Sequence, residues 1–339
     1  MKCGVIGASG YLGAELLRLL ADHPKFDVAL AQADSTAGCR LGEVYPALDR
    51  AYPDLVVDGL DAAAAAGLDA VFVALPSGGS QAVVADLHDQ VGLVVDLGAD
   101  FRLKDPAAYQ RWYGFEHSNP SLLARAVYGL PELFRPDIVG ARLVAAPGCY
   151  VTAAAVALQP LVATGLLQPD GIVIDAASGT SGAGKQPSPA FHHPAANESY
   201  APYGLLTHRH TPEIEQVVGA QVLFTPHLAP MTRGILATCY GRPATASVTS
   251  TDLLLDTLRA RYAQEPFVAV TAGVPSTADA YGSNVVHVTA RFDERTGWAI
   301  VIAAIDNLVK GGSGQAIQAA NVALGLPETA GLPLVGLSP

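Results

Sequence analysis

The first half of the chain alternates short runs that are apolar throughout with segments whose apolar residues recur at helical spacing. KCGVIG, DVALAQAD, DAVFVALP, GLVVDLGAD and RLVAAPG are uninterrupted runs, while AELLRLLADHP and SQAVVADLHDQ carry the three- and four-residue spacing of amphipathic helices. Strands that are apolar on both faces and separated by helices predict a parallel sheet covered on both sides. After residue 148 the pattern changes. GIVIDAASG, QVLFTPHLAP, RGILATCYG, FVAVTAG, NVVHVTARF and WAIVIAAI follow with few long helices between them, which predicts a mixed or antiparallel sheet. A final helical run, NLVKGGSGQAIQAANVALG, closes the chain, and the Gly-, Pro- and His-rich stretch from Ser178 to His210 reads as a long loop. Loops of that length inside a compact domain are usually functional.

The length of 339 residues suits two domains at roughly 150 residues each. Half of the residues are hydrophobic and 15% are charged, a composition that supports a sizeable core. No apolar run reaches the ~20 residues of a bilayer span, so a soluble, cytoplasmic protein is expected. The net charge of −11, with no Lys/Arg cluster, argues against nucleic acid and anionic membrane surfaces as partners. A small anionic molecule remains compatible, because a few local cations outweigh a global field.

Gly7, Gly10 and Gly13 in GASGYLG form a G-x-x-G-x-x-G turn between a strand and a helix. Such a turn lets the backbone approach a pyrophosphate and offers it the N–H groups of a helix start. Gly7, Ala8, Ser9, Gly10, Tyr11, Leu12 and Gly13 are therefore candidate dinucleotide contacts. The second strand ends in QADSTAG. Asp34 there suits the ribose of NAD, whereas Ser35, Thr36 and Arg40 suit a 2′-phosphate, and the balance favours NADP. Pro76 and Ser77, in ALPSGGS, are expected to be further cofactor contacts. The fold expected is α/β: a Rossmann-type parallel-sheet nucleotide-binding domain plus an α+β catalytic and dimerisation domain with a mixed sheet.

The four cysteines, Cys3, Cys39, Cys149 and Cys239, show neither disulfide-framework nor zinc spacing. Cys3 and Cys239 fall inside strands and read as small buried hydrophobes. Cys149 sits instead where Pro147 and Gly148 end a strand and a helix begins, a position that favours a thiolate. THRHTPEIEQ supplies a proton partner, either His208 or His210, with Thr211 as an N-cap and Pro212 at the first helical position. Pattern alone leaves the two histidines open. No histidine spacing fits a metal, so none is expected. Candidate cations for an anionic substrate are Arg102, Lys185, Arg209 and Arg233, and the loop Ser178–Gly184 offers a backbone nest for an anion.

Taken together, GASGYLGAELLRLL, DLGADFRL, APGCYVTA, SGTSGAGK, HRHTPEIEQ, TPHLAPMTRGIL and NLVKGGSGQAIQ resemble the N-acetyl-γ-glutamyl-phosphate reductases of arginine biosynthesis, within the semialdehyde dehydrogenase superfamily. The resemblance runs from the first strand to the last helix. It implies that Cys149 is the nucleophile and His210 the acid/base. It further implies that NADPH reduces an acyl phosphate through a Cys149 thioester to a semialdehyde and phosphate. Ser178, Lys185, Arg102, Arg209 and Arg233 become the expected substrate contacts, and Gly182 and Asn307 further cofactor contacts. The expected domains are 1–148 with the C-terminal helix 307–339 for NADP, and 149–306 for catalysis and for assembly as a homodimer or homotetramer. Competing expectations are a reductase of carrier-bound aminoadipyl or glutamyl phosphate, an aspartate-semialdehyde dehydrogenase, and a non-catalytic dinucleotide sensor.

Overall fold

The computed structural model describes residues 1–245 and 250–337. The chain divides into two compact units, 1–147 with 312–332, and 148–311 with the segment from Pro333.

The first unit carries a six-stranded, all-parallel sheet built from β1 (Lys2–Ile6), β2 (Asp27–Gln32), β3 (Ala70–Val73), β4 (Leu93–Asp96), β5 (Val127–Tyr128) and β6 (Leu143–Ala145). Their order across the sheet is β2-β1-β3-β4-β6-β5. All residues of β3, β4 and β6 are buried, the signature of central parallel strands with covered faces. The two-residue β5 has no hydrophobic pattern of its own and was not foreseen. Gly314–Ala323 forms a helix of this unit with every residue buried, including Gln315, Gln318 and Asn321. Gln315 donates to the Gly129 carbonyl at 2.8 Å, Gln318 to Glu132 at 2.8 Å and Asn321 to the Ala330 carbonyl at 3.0 Å, while the side-chain oxygen of Gln315 is buried without a partner. Such bonds offset most of the cost of burying polar groups in a helix covered all round.

The second unit carries a seven-stranded mixed sheet of β7 (Ile172–Ser178), β8 (Ala201–Pro202), β9 (Val222–Leu228), β10 (Ile235–Gly241), β11 (Val268–Val270), β12 (Val286–Asp293) and β13 (Trp298–Ile305). The order is β11-β12-β13-β10-β7-β9-β8, with β7/β9 and β11/β12 parallel and the other pairs antiparallel. β7 and β10 alternate strictly between buried and half-buried positions, so one face of the sheet is core. The long helix Cys149–Ala163 covers that face. The expected terminal helical run begins as a π-helical turn, Val309–Ser313, before it becomes α-helical.

Candidate active site

In the first unit the glycine turn links β1 to the helix Tyr11–Ala21. Gly7 adopts φ +90°, and a Cβ there would lie 2.3 Å from the Ala74 carbonyl oxygen. A Cβ on Gly13 would lie 2.1 Å from the Gly7 carbonyl oxygen, so strand and helix meet closer than any side chain allows. A Cβ on Gly10 would meet only the Gly7 carbonyl oxygen, at 3.5 Å, and Gly10 caps the helix with no side-chain bond. The helix therefore presents its first N–H groups and positive dipole end to an anion. Sequence reading missed Tyr45, whose hydroxyl donates to the Ser9 carbonyl at 2.7 Å and fixes the turn from the side.

At the end of β2, Asp34 and Ser35 are exposed and the Thr36 hydroxyl is buried without a hydrogen-bond partner. Arg40 pairs with Glu43 at 3.2 Å, an exposed contact weak enough to yield to a phosphate. These residues fit an adenosine 2′-phosphate. Pro76 and Ser77 are exposed on a loop anchored from below by Asp100, which accepts from the Gly78 and Ser80 N–H groups at 2.7 and 3.0 Å. Arg102 is 91% withdrawn from solvent (9% exposed) and donates to the Ala146 and Leu97 carbonyls at 2.7 and 2.8 Å. Those bonds tie strand ends together, which counts against Arg102 as a substrate cation.

In the second unit Cys149 is the first residue of its helix and half-buried. Gly148, its N-cap, has φ −67° and ψ 147°, an ordinary extended backbone. Glycine is needed there for space rather than for backbone freedom. A Cβ would sit 2.5 Å from Nε2 of His210 and 2.8 Å from both neighbouring ring carbons. The imidazole thus lies flush on the backbone next to Cys149. Glu213, fully buried and three residues after His210, accepts from the Gly148 N–H at 2.9 Å. The helix carrying His210 begins at that residue, with Arg209 as N-cap, two residues earlier than Thr211 and Pro212 suggested. The cause is His208: its Nδ1 accepts from the His210 N–H at 3.1 Å and its carbonyl from Thr211 at 3.0 Å, winding the turn early.

His208 and His210 are edge-on, with ring centroids 4.9 Å apart, and Tyr150, Tyr203 and Phe224 surround His208 at 5.3 to 5.6 Å. Burial, with a smaller push from the Arg209 charge, lowers His208 to about 4. His208 is thus neutral at pH 7, with its proton on Nε2 because Nδ1 accepts from the His210 N–H. Tyr203 donates to the Tyr150 hydroxyl at 3.1 Å, which donates to the His227 carbonyl at 3.1 Å. Glu213, Tyr150 and Tyr203 were all missed. Glu213 had one legible signal, its i+3 spacing from His210.

The remaining candidates separate. Ser178 is buried at the end of β7, beside Tyr150. Lys185 and Arg209 are exposed on loops. Arg233 is partly exposed, with its guanidinium 3.5 Å from the buried Asp306 carboxylate. Asn307 accepts from the Gly234 N–H at 2.7 Å and donates to Ser181 at 2.9 Å, clipping the loop in which Gly182 lies against Ser178. The expected anion nest in this loop is not formed. The N–H groups of Gly179, Thr180, Ser181, Gly182 and Gly184 all donate to carbonyls, because the loop winds into a 3-10 turn against 231–234.

Residues 2–141 match the NAD-binding domain of the semialdehyde dehydrogenases, and residues 149–307 match their dimerisation domain. The N-acetyl-γ-glutamyl-phosphate reductase of Symbiobacterium thermophilum is 48% identical over 98% of this chain and 97% of its own. That of Acidothermus cellulolyticus is 49% identical over 100% and 99%. The chain belongs to the N-acetyl-γ-glutamyl-phosphate reductase family. Solved structures share the fold at low identity. Aspartate semialdehyde dehydrogenase from Candida albicans, solved with NADP, gives a TM-score of 0.70 at 16% identity, covering 95% of this chain and 97% of its own. The Vibrio cholerae aspartate semialdehyde dehydrogenase II complex gives 0.68 at 15%, over 95% and 97%. As in the family's description, this chain is an oxidoreductase with a nicotinamide-dinucleotide domain. Among the described residues no helix is long and apolar enough to cross a membrane.

Proposed function

We propose that this chain reduces N-acetyl-L-glutamyl 5-phosphate to N-acetyl-L-glutamate 5-semialdehyde and phosphate, with NADPH, in arginine biosynthesis. The observation that carries the mechanism is the His210 imidazole seated on Gly148, one residue from the helix-starting Cys149.

The Cys149 thiolate attacks the acyl carbon, forming a C–S bond as the C–O bond to phosphate breaks. The resulting thioester divides one difficult step into two easier ones. Bound NADPH supplies the hydride for the second. His210 protonates the oxyanion left by reduction and takes the proton back as the thiohemiacetal collapses to aldehyde and thiolate. A positioned acid/base of this kind is worth ~10² to 10⁴ in rate. Backbone N–H groups at the start of the Cys149 helix stabilise the oxyanion. Glu213, bonded to Gly148 and rooted in the His210 helix, keeps acid and nucleophile in register. Arg233, Lys185 and Arg209 supply charge for the substrate's carboxylate and phosphate, while the 1–147 unit holds the dinucleotide at Gly7–Gly13.

The chain acts as a homo-oligomer. The sheet face opposite the Cys149 helix carries Leu223, Leu236, Tyr240, Ile300 and Ile302 at half-exposed or exposed positions, an apolar surface that a second copy would cover. The four cysteines form no disulfide with one another, which suits the reducing cytoplasm.

The test is the reverse reaction. N-acetylglutamate semialdehyde, NADP and phosphate are mixed with the wild type and with Cys149→Ser, and nicotinamide absorbance is followed. A phosphate-dependent rise that the variant lacks is expected. A rise only with aspartate semialdehyde would overturn the substrate, and an active Cys149→Ser would overturn the nucleophile.

A further inference from the structure

Asp306 ends β13 and has no solvent exposure. One carboxylate oxygen accepts from the Leu308 and Val309 N–H groups at 2.8 and 3.1 Å. The other accepts from the Gly282 N–H at 2.8 Å and faces the Arg233 guanidinium at 3.5 Å. Its carbonyl accepts from the Gly311 N–H at 2.9 Å, closing the π-type turn. Gly311, at the far side of that turn, lies against the nucleophile: a Cβ on it would come within 2.7 Å of the Cys149 Cβ. The next residue, Asn307, bonds the Gly234 N–H at 2.7 Å, so the pair Asp306–Asn307 clasps the pair Arg233–Gly234.

We propose that Asp306 is a positioning residue, a single buried carboxylate that fixes both the substrate-facing guanidinium of Arg233 and the backbone turn packed on Cys149. The inference rests on the reading of Cys149 as nucleophile and Arg233 as substrate cation. Its physical basis is that a buried anion is tolerated only with its donors in place. Three backbone N–H groups and one guanidinium are held to a common centre, so displacement of either partner is felt by the other. π-type turns are also a frequent mark of functional sites. Substrate anion and nucleophile are then aligned through Asp306 rather than independently.

Asp306→Asn in the full chain tests this. The amide keeps an acceptor for Leu308 and Val309 but turns an NH₂ group toward Gly282 and Arg233, where two donors already point. In the reverse reaction, the KM of one anionic substrate, the aldehyde or phosphate, is expected to rise tenfold or more. Iodoacetamide labelling of Cys149 is expected to change by a similar factor, with NADP affinity within twofold of wild type. In an Arg233→Gln background the added effect on KM should be under twofold. A folded Asp306→Asn protein with wild-type KM and labelling overturns the proposal, as does full additivity with Arg233→Gln. If Asp306→Asn does not fold, Gly311→Ala tests the same turn, and unchanged labelling of Cys149 there overturns it. A wild type without phosphate-dependent turnover would sink the proposed function instead, while the labelling of Cys149 in Asp306→Asn would still decide the role of the turn.

Discussion

Glu213 accepts a hydrogen bond from the backbone N–H of Gly148 at 2.9 Å, and so joins the helix that carries His210 to the residue preceding Cys149. Replacing Glu213 by Gln retains the acceptor and removes the charge. We expect kcat to fall roughly tenfold to a hundredfold with KM within about twofold, the pattern of a group that aligns chemistry rather than binds substrate. Glu213→Ala additionally leaves the Gly148 N–H unsatisfied, at a cost of about 1–3 kcal/mol in urea unfolding. A large KM change with intact kcat would contradict this assignment.

Gly148→Ala tests the opposite side of the same contact. The added methyl overlaps the His210 ring, whose Nε2 stands 2.5 Å from the Cβ position. The ring has to move by about 1 Å, which is expected to cost on the order of 10² in kcat. The backbone there is extended, so stability should drop by only about 1 kcal/mol from the poorer cap. Melting and turnover of the same preparation distinguish lost geometry from lost fold.

His208 contributes a pH dependence of stability. Its folded-state value of about 4 lies below the ordinary 6.5, mainly through burial. Between pH 6.5 and 4 the unfolded chain takes up a proton that the folded chain refuses, so stability falls as pH falls across that window. The loss is at most about 3 kcal/mol. His208→Asn keeps an acceptor for the His210 N–H and removes the titration. Urea unfolding at neutral and acidic pH should show a smaller acid loss in the variant, and an identical loss would refute the account.

Asp96 works in the opposite sense. Asp96 and Asp100 share the single hydroxyl proton of Ser80, at 3.1 and 2.9 Å, and neither carboxylate has any solvent exposure. Burial, and then the Asp100 charge, push Asp96 up to about 7 from 3.8. Between those values the unfolded chain has lost a proton that the folded chain retains, so this group's contribution weakens as pH rises from about 4 to about 7. Asp96→Asn should gain on the wild type across that range, by at most about 1.4 kcal/mol per pH unit, and hold a constant lead above it. A stability difference flat across pH would show that Asp96 is ionised throughout.

The sequence by itself determined the longer strands, the amphipathic helices between them, the glycine turn and the helix start at Cys149. Each of these rests on local rules: uninterrupted apolar runs, helical spacing, and glycine where backbones meet. Tertiary structure decided what those rules cannot see. Local pattern left His208 and His210 equivalent; burial among Tyr150, Tyr203 and Phe224 keeps the first neutral, while the second rests on Gly148. Gly148 itself read as the end of a strand and is a space for an imidazole. Arg102 looked like a free cation at a strand end, yet its Nε and Nη2 donate to the Ala146 and Leu97 carbonyls. Asp306 carries no motif of its own, and Glu213 only its i+3 spacing from His210. Their roles come from backbone N–H groups 24 and 65 residues away in sequence, and long-range pairing of a side chain with backbone leaves no periodic trace.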